Sequence, residues 1–237
     1  MNKTYIIPNF PHMLHGGDYN PDQWRNYPDV LSEDMRLFKL ANCNEMTMGV
    51  FSWAALEPEE GKFDFSFLDK AMDDVYAAGG RVILATPSGA RPAWLSQKYP
   101  EVLRYTNTFQ QRHHGRRHNH CYTSPVYREK ISIINSKLAQ RYDGHPALIA
   151  WHIGNEYNGD CYCPNCQKSF REFLKKKYGT LDELNDKCNR LEQALNADGS
   201  DILPTLATLR DTVDAMELVV ADSRWPLPKY REMLFVY

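Results

Sequence analysis

Short apolar runs and amphipathic stretches alternate along the first three quarters of the chain. Residues 11–19, 45–50, 81–87 and 147–151 have the length and composition of strands. The third, Arg81–Val82–Ile83–Leu84–Ala85–Thr86–Pro87, carries four apolar positions in a row, as strands buried in a parallel sheet do. Between the strands, residues 31–41, 67–78 and 126–142 place apolar side chains at helical spacing. Met35, Leu37, Phe38 and Leu40 mark the first of these, and Ile131, Ile133, Ile134 and Leu138 the last. Ser32 is the expected cap of the first helix, with Glu33 and Asp34 in its first turn. Gly79–Gly80 stops the second, and Asp143–Gly144–His145–Pro146 breaks the third. Cys163–Pro164–Asn165 reads as a turn, followed by a helix over 167–178 that Gly179–Thr180–Leu181 closes. Four strand–helix units are half of an eight-unit barrel. The expected fold is therefore α/β, a partial (β/α)8 TIM barrel followed by a helical C-terminal segment.

The register changes after about Asn185. Residues 191–197 and 203–220 read as helices, the second marked by Leu206, Leu209, Val213, Met216, Leu218 and Val219, with a hinge at Asp198–Gly199–Ser200–Asp201. The chain accordingly divides into a barrel domain, 1–185, and a helical tail, 186–237. Residues 91–122 form a long irregular excursion, of a length that is usually functional or disordered.

Ligands collect at the carboxyl ends of strands in such folds, because the following loops surround a pocket there. The fourth strand runs into Gly154–Asn155–Glu156–Tyr157, which places Glu156 at that end. Taken alone, Asn155–Glu156 reads equally well as a solvated polar loop. Trp151 and Tyr157 on either side favour a sugar site, since aromatics offer a flat apolar face and desolvate a neighbouring acid, raising its pKa.

Composition narrows the partners. The 237 residues are 43% apolar and 24% charged, as in an ordinary globular protein. A net charge of -2 without a sustained Lys/Arg run argues against nucleic acid or an anionic membrane surface. The one basic cluster, Arg112–His113–His114–Gly115–Arg116–Arg117–His118, is short and interrupted by histidines. No apolar run approaches the roughly 20 residues that span a bilayer, and the polar start has no signal-peptide pattern, so a cytoplasmic protein is expected.

Six cysteines are unevenly placed. Cys161, Cys163 and Cys166 crowd into C-x-C-x-x-C spacing, which suits one tetrahedral zinc better than three disulfides. Cys121 is the first candidate for the fourth ligand, with His120 or His118 next. Cys43 and Cys188 lie in periodic segments and read as packing residues. A site closed by four cysteines is structural, because no position stays open for water.

Several of these segments, in this order, resemble the family 42 glycoside hydrolases, which are mostly beta-galactosidases. The resemblance rests on Gly17–Asp18–Tyr19–Asn20–Pro21–Asp22–Gln23–Trp24, Phe51–Ser52–Trp53, Leu56–Glu57–Pro58, Gly61–Lys62–Phe63–Asp64–Phe65, Thr86–Pro87–Ser88–Gly89–Ala90–Arg91–Pro92–Ala93–Trp94, Gly115–Arg116–Arg117–His118–Asn119–His120–Cys121 and Trp151–His152–Ile153–Gly154–Asn155–Glu156–Tyr157, roughly the first 185 residues. It implies a retaining enzyme acting on terminal beta-linked galactosides. It implies Glu156 as general acid/base, Asn155 and Arg117 as substrate-binding residues, and Cys121, Cys161, Cys163 and Cys166 as ligands of a structural zinc. The family's nucleophilic glutamate belongs to a later barrel strand, for which nothing after Asn185 supplies a match. Asp18, Glu45, Glu57 and Asp160 are the acids that could take its place within this chain. The open edges of a half-barrel imply a homo-oligomer that covers them; a zinc-stabilised fragment that binds sugar or a partner without turnover is the alternative. The tail resembles the C-terminal end of a type III glutamine synthetase, on Leu209–Arg210–Asp211–Thr212–Val213, Ala221–Asp222 and residues 225–235.

Overall fold

The structure, a computed structural model, describes residues 7, 10–115 and 117–196. The expected helix at 203–220, the hinge at 198–201 and the segments resembling glutamine synthetase lie outside the described residues. The described chain forms two compact units, one ending at Asn165 and the other beginning at Cys166.

In the first unit, strands β1 (Gly16–Tyr19), β2 (Glu45–Met48), β3 (Arg81–Ala85) and β4 (Leu148–His152) form one parallel sheet in the order β1-β2-β3-β4. Helices α1 (Pro28–Leu40), α2 (Trp53–Leu56), α3 (Ser66–Ala77), α4 (Ala93–Lys98) and α5 (Pro125–Tyr142) lie between them in sequence. The expected succession of strands and helices is present. Alternation along the strands sends Met48, Val82 and Leu84 to one face. They pack there with Phe38 of α1, Leu68, Met72 and Val75 of α3, and Ile134 and Leu138 of α5. Truncating such a fully buried leucine to alanine costs about 2–5 kcal/mol. Register places Trp151 beside Leu84 and His152 beside Ala85. Trp151 consequently joins this apolar layer, while Asp18, opposite Thr47, stands with Glu45 on the other face.

The helix boundaries correct three expectations. Helix α1 starts at Pro28, so Ser32 lies inside it rather than capping it. Proline lacks the N–H that a first turn leaves unbonded and has the helical φ already set. For the same reason α6 (Pro164–Tyr178) starts at Pro164, and Cys163–Pro164–Asn165 runs into its first turn. In the second unit α7 (Leu181–Asn196) starts ten residues before the expected 191. Thr180 and Glu183 form a reciprocal cap: the Glu183 N–H donates to Thr180 Oγ1 at 3.2 Å, and the Thr180 N–H donates to Glu183 Oε2 at 2.7 Å.

The excursion at 91–122 is more ordered than its composition suggests. Beyond α4 it pairs Leu103 with His120 and Tyr105 with Gln111 in antiparallel bridges.

Candidate active site

The loop after β4 is shaped by its backbone. The Gly154 N–H donates to Thr86 Oγ1 at 2.8 Å, and the Thr86 N–H donates to the His152 carbonyl at 3.0 Å, which ties the ends of β3 and β4 together. Gly154 has φ 67°, and the Tyr157 hydroxyl lies where a Cβ at Gly154 would stand. Glycine avoids strain there on two grounds. Two residues on, Glu156 takes φ 45°, a left-handed conformation that costs a glutamate strain. That turn aims its carboxylate at Arg117.

Arg117 Nη2 donates to Glu156 Oε2 at 2.5 Å. The guanidinium carbon also lies 5.0 Å from the centre of the Phe51 ring, on the loop after β2. The neighbouring His118 anchors this presentation. Its N–H donates to the Gly89 carbonyl at 3.2 Å, its Nδ1 meets the Tyr122 hydroxyl at 3.0 Å, and it is itself left-handed at φ 52°. Asn155 stands across Gly89 from His118: a Cβ built on Gly89 would lie 3.4 Å from His118 Cε1 and 3.8 Å from Asn155 Cβ. Loops after β2, β3 and β4 thus bring Arg117, Asn155 and Glu156 to one end of the sheet. Phe51, His118 and Tyr122 were not singled out as positioning residues by the sequence reading. The aromatic loop after the second strand and the histidines interrupting the basic cluster were the available signals.

Two sequence expectations about the acid are corrected. Trp151 lies in the helix-facing layer, and Tyr157 turns back to His118 and Tyr122, with ring centres 6.5 and 5.5 Å away. The Glu156 side chain is 61% exposed, so the flanking aromatics do not desolvate it. Among the candidate second carboxylates, Glu57 is only 3% exposed and accepts from the Trp53 indole N–H at 2.8 Å and from the Gly61 N–H at 2.9 Å. It holds the loop after α2. Glu45 opens β2, at the opposite end from Arg117 and Glu156, where burial raises its pKa and Thr47 hydrogen bonds to it. Asp18 and Asp160 are exposed. Among the described residues the ion-pair partner of Glu156 is Arg117.

Cys121, Cys161, Cys163 and Cys166 come together, their sulfurs all within 4.8 Å of one another. The Cys121 and Cys163 sulfurs are 3.3 Å apart and both residues are buried. Tetrahedral Zn–S bonds of about 2.3 Å separate sulfurs by about 3.8 Å, so this donor set fits a metal of that kind. The group contains neither histidine alternative: His118 is held by Tyr122, and the His120 ring stacks on Tyr127 at 4.2 Å.

Comparison with known proteins bears on the family and the fold. The family model for glycoside hydrolase family 42, described as beta-galactosidase, matches residues 18–190. Beta-galactosidase BglY of Alicyclobacillus acidocaldarius is 61% identical over 180 residues, covering 76% of this chain and 26% of that protein. Among solved structures, the family 42 beta-galactosidase Gan42B of G. stearothermophilus matches with 63% identity and a TM-score of 0.72, over 73% of this chain and 26% of that one. The beta-galactosidase of Rahnella sp. R3 matches with 54% identity and a TM-score of 0.75, over 76% and 27%. The chain spans about a quarter of the length of these relatives. With a family match over most of its length and a parallel sheet of the corresponding barrel, the chain belongs to glycoside hydrolase family 42.

Proposed function

We infer that the chain supplies the acid/base half of a beta-galactosidase site. Glu156 protonates the departing glycosidic oxygen, and later deprotonates the attacking water. Asn155 and Arg117 hold the sugar. The observation carrying this reading is the Arg117–Glu156 pair at the carboxyl end of a parallel sheet, with Asn155 beside it. Arg117 keeps the carboxylate oriented until substrate arrives, and the exposure of Glu156 leaves it accessible to a leaving group. Retaining chemistry needs a second carboxyl group about 5 Å away as nucleophile. Glu57 and Glu45 are committed elsewhere, which leaves the exposed Asp18 and Asp160, or a carboxylate carried by a further barrel half, to act as nucleophile. A sugar-binding fragment without turnover is the second reading, favoured by the same commitment of these acids.

The four cysteines hold zinc in this reading, supported by their donor set and spacing. A closed tetrathiolate zinc cross-links the loops and supplies no reactive position. The glycosidase portion comprises residues 1–185 and the tail 186–237, supported by a family match ending at residue 190.

Hydrolysis of aryl beta-galactosides and beta-glucosides by the purified chain, with Glu156→Ala in parallel, tests the reading. Galactoside turnover lost in the variant supports the full site. A folded, metal-loaded chain that binds galactose without hydrolysing it supports the fragment. Turnover equal in both proteins refutes the role of Glu156.

A further inference from the structure

The basic cluster at 112–118 enters the reading above only through Arg117. Its residues 112–115, 117 and 118 form the wall of an open cleft of about 560 Å³, whose lining includes Arg104, Arg112, His113, His114, Arg117 and Asn158. None of the described residues lining this cleft is acidic.

The cations around it are poorly neutralised. Arg104 is 3% exposed, and its Nε and Nη2 donate to the carbonyls of His120 at 2.8 Å and Asn158 at 2.7 Å. Carbonyl oxygens satisfy the geometry of a guanidinium but leave its net charge in place. Behind His114 lies a second buried guanidinium, Arg91, whose Nη2 is 3.5 Å from His114 Nδ1 and whose Nε has no partner. Neither arginine pairs with a carboxylate among the described residues, and burial brings Arg91 down to about 10. Buried charge without a counter-charge is costly, so the folded chain holds an unspent attraction for an anion here.

The histidines register the same field. Burial and then Arg91 hold His114 below its usual value, and burial with Arg104 and Arg117 does so for His118. The carboxylate bound to this array, Glu156, sits on Arg117 alone. Arg112 and His113 are exposed. A cleft with this inventory offers donors and positive charge, a selection for oxyanions over neutral hydroxyls.

We propose that this cleft is a subsite for the oxyanion, a carboxylate or a phosphate, of an acidic unit attached to the galactosyl group whose departing oxygen Glu156 protonates. The assignment of the galactosyl group rests on the function proposed above; the anion preference rests on the cleft. Arg117 belongs to both sites, so an acidic substituent next to the scissile bond reaches Arg112 and His113 while the sugar remains beside Asn155.

Calorimetric titration of the whole chain with two galactosides that share an open-chain leaving group tests this: lactobionate, which carries a carboxylate, and lactitol, which is neutral. Lactobionate should bind on the order of tenfold more tightly at low salt, an advantage that added salt reduces. The double variant Arg112→Gln/His113→Gln, changed at two exposed positions, should lose that advantage and keep its affinity for lactitol. Inorganic phosphate is the third probe: competition with lactobionate assigns the cleft to phosphate as well, and its absence assigns it to acidic sugars. Equal affinity for the two galactosides, or a preference that survives the double substitution, overturns the subsite and leaves the galactoside reading standing. Phosphate binding that the double variant loses, without binding of either galactoside, overturns the galactoside reading and leaves the anion cleft standing.

Discussion

Arg117 and Glu156 stand 39 residues apart in sequence, and each was read together with its neighbours in a motif: the strand pattern put Glu156 at a strand end, whereas Arg117 was singled out only by the resemblance. What those neighbours do was less legible. Trp151 looked like a platform beside the acid, but parity along β4 sends it to the opposite face, and that parity depends on a register shift between Val82 and Ile83. Glu57 looked like a spare catalytic acid for a similar reason: its role depends on the Trp53 indole and the Gly61 amide that fold onto it. If Glu156 is the acid, Glu156→Gln should abolish hydrolysis of galactosides with poor leaving groups and spare activated ones, in steady-state rates across a leaving-group series. Loss of both to the same degree would remove that role. Glu57→Gln turns an acceptor-only group into one whose NH2 must face a donor. About 1–3 kcal/mol of stability should be lost, read as a lowered unfolding midpoint in denaturant.

At the scale of elements, helix bodies were readable, and the starts of α3 and α5 fell within one residue of expectation, while those of α1, α6 and α7 did not. Apolar spacing located α1, α3 and α5, but prolines at 28 and 164 and the Thr180–Glu183 cap decide where α1, α6 and α7 begin. Removing the cap with Thr180→Ala should cost about 1 kcal/mol and lower helicity by circular dichroism. Glu60 joins two helices: it accepts from Lys98 of α4, from Tyr99 just beyond it and from Lys130 of α5. The two lysines with Tyr99 bring its pKa down from 4.5 to about 2, Lys130 first. Because the folded carboxyl is the stronger acid, its contribution is complete above about pH 4.5 and disappears as pH falls toward 2. The gap in melting temperature between the parent and Glu60→Gln should close over that interval; a gap constant with pH would mean the ion pairs contribute nothing.

For the whole molecule, the parallel order of the sheet followed from alternating segments, while the meeting of Cys121 with Cys161, Cys163 and Cys166 needed the resemblance as well as the spacing. If a metal closes that cluster, chelation or Cys163→Ser should lower both the metal content by elemental analysis and the melting temperature; a stable, metal-free chain would exclude zinc. Among the described residues strands β1 and β4 each have one partner in the sheet, so sedimentation should show self-association if a second copy completes the barrel. The left-handed backbone at Glu156 sets folding against chemistry. A library randomised at position 156 and sorted for heat resistance should enrich glycine and asparagine, which take φ 45° with less strain, by about 1 kcal/mol. The same library sorted for turnover should return glutamate. Selection for robustness alone would then erase the acid that selection for turnover restores.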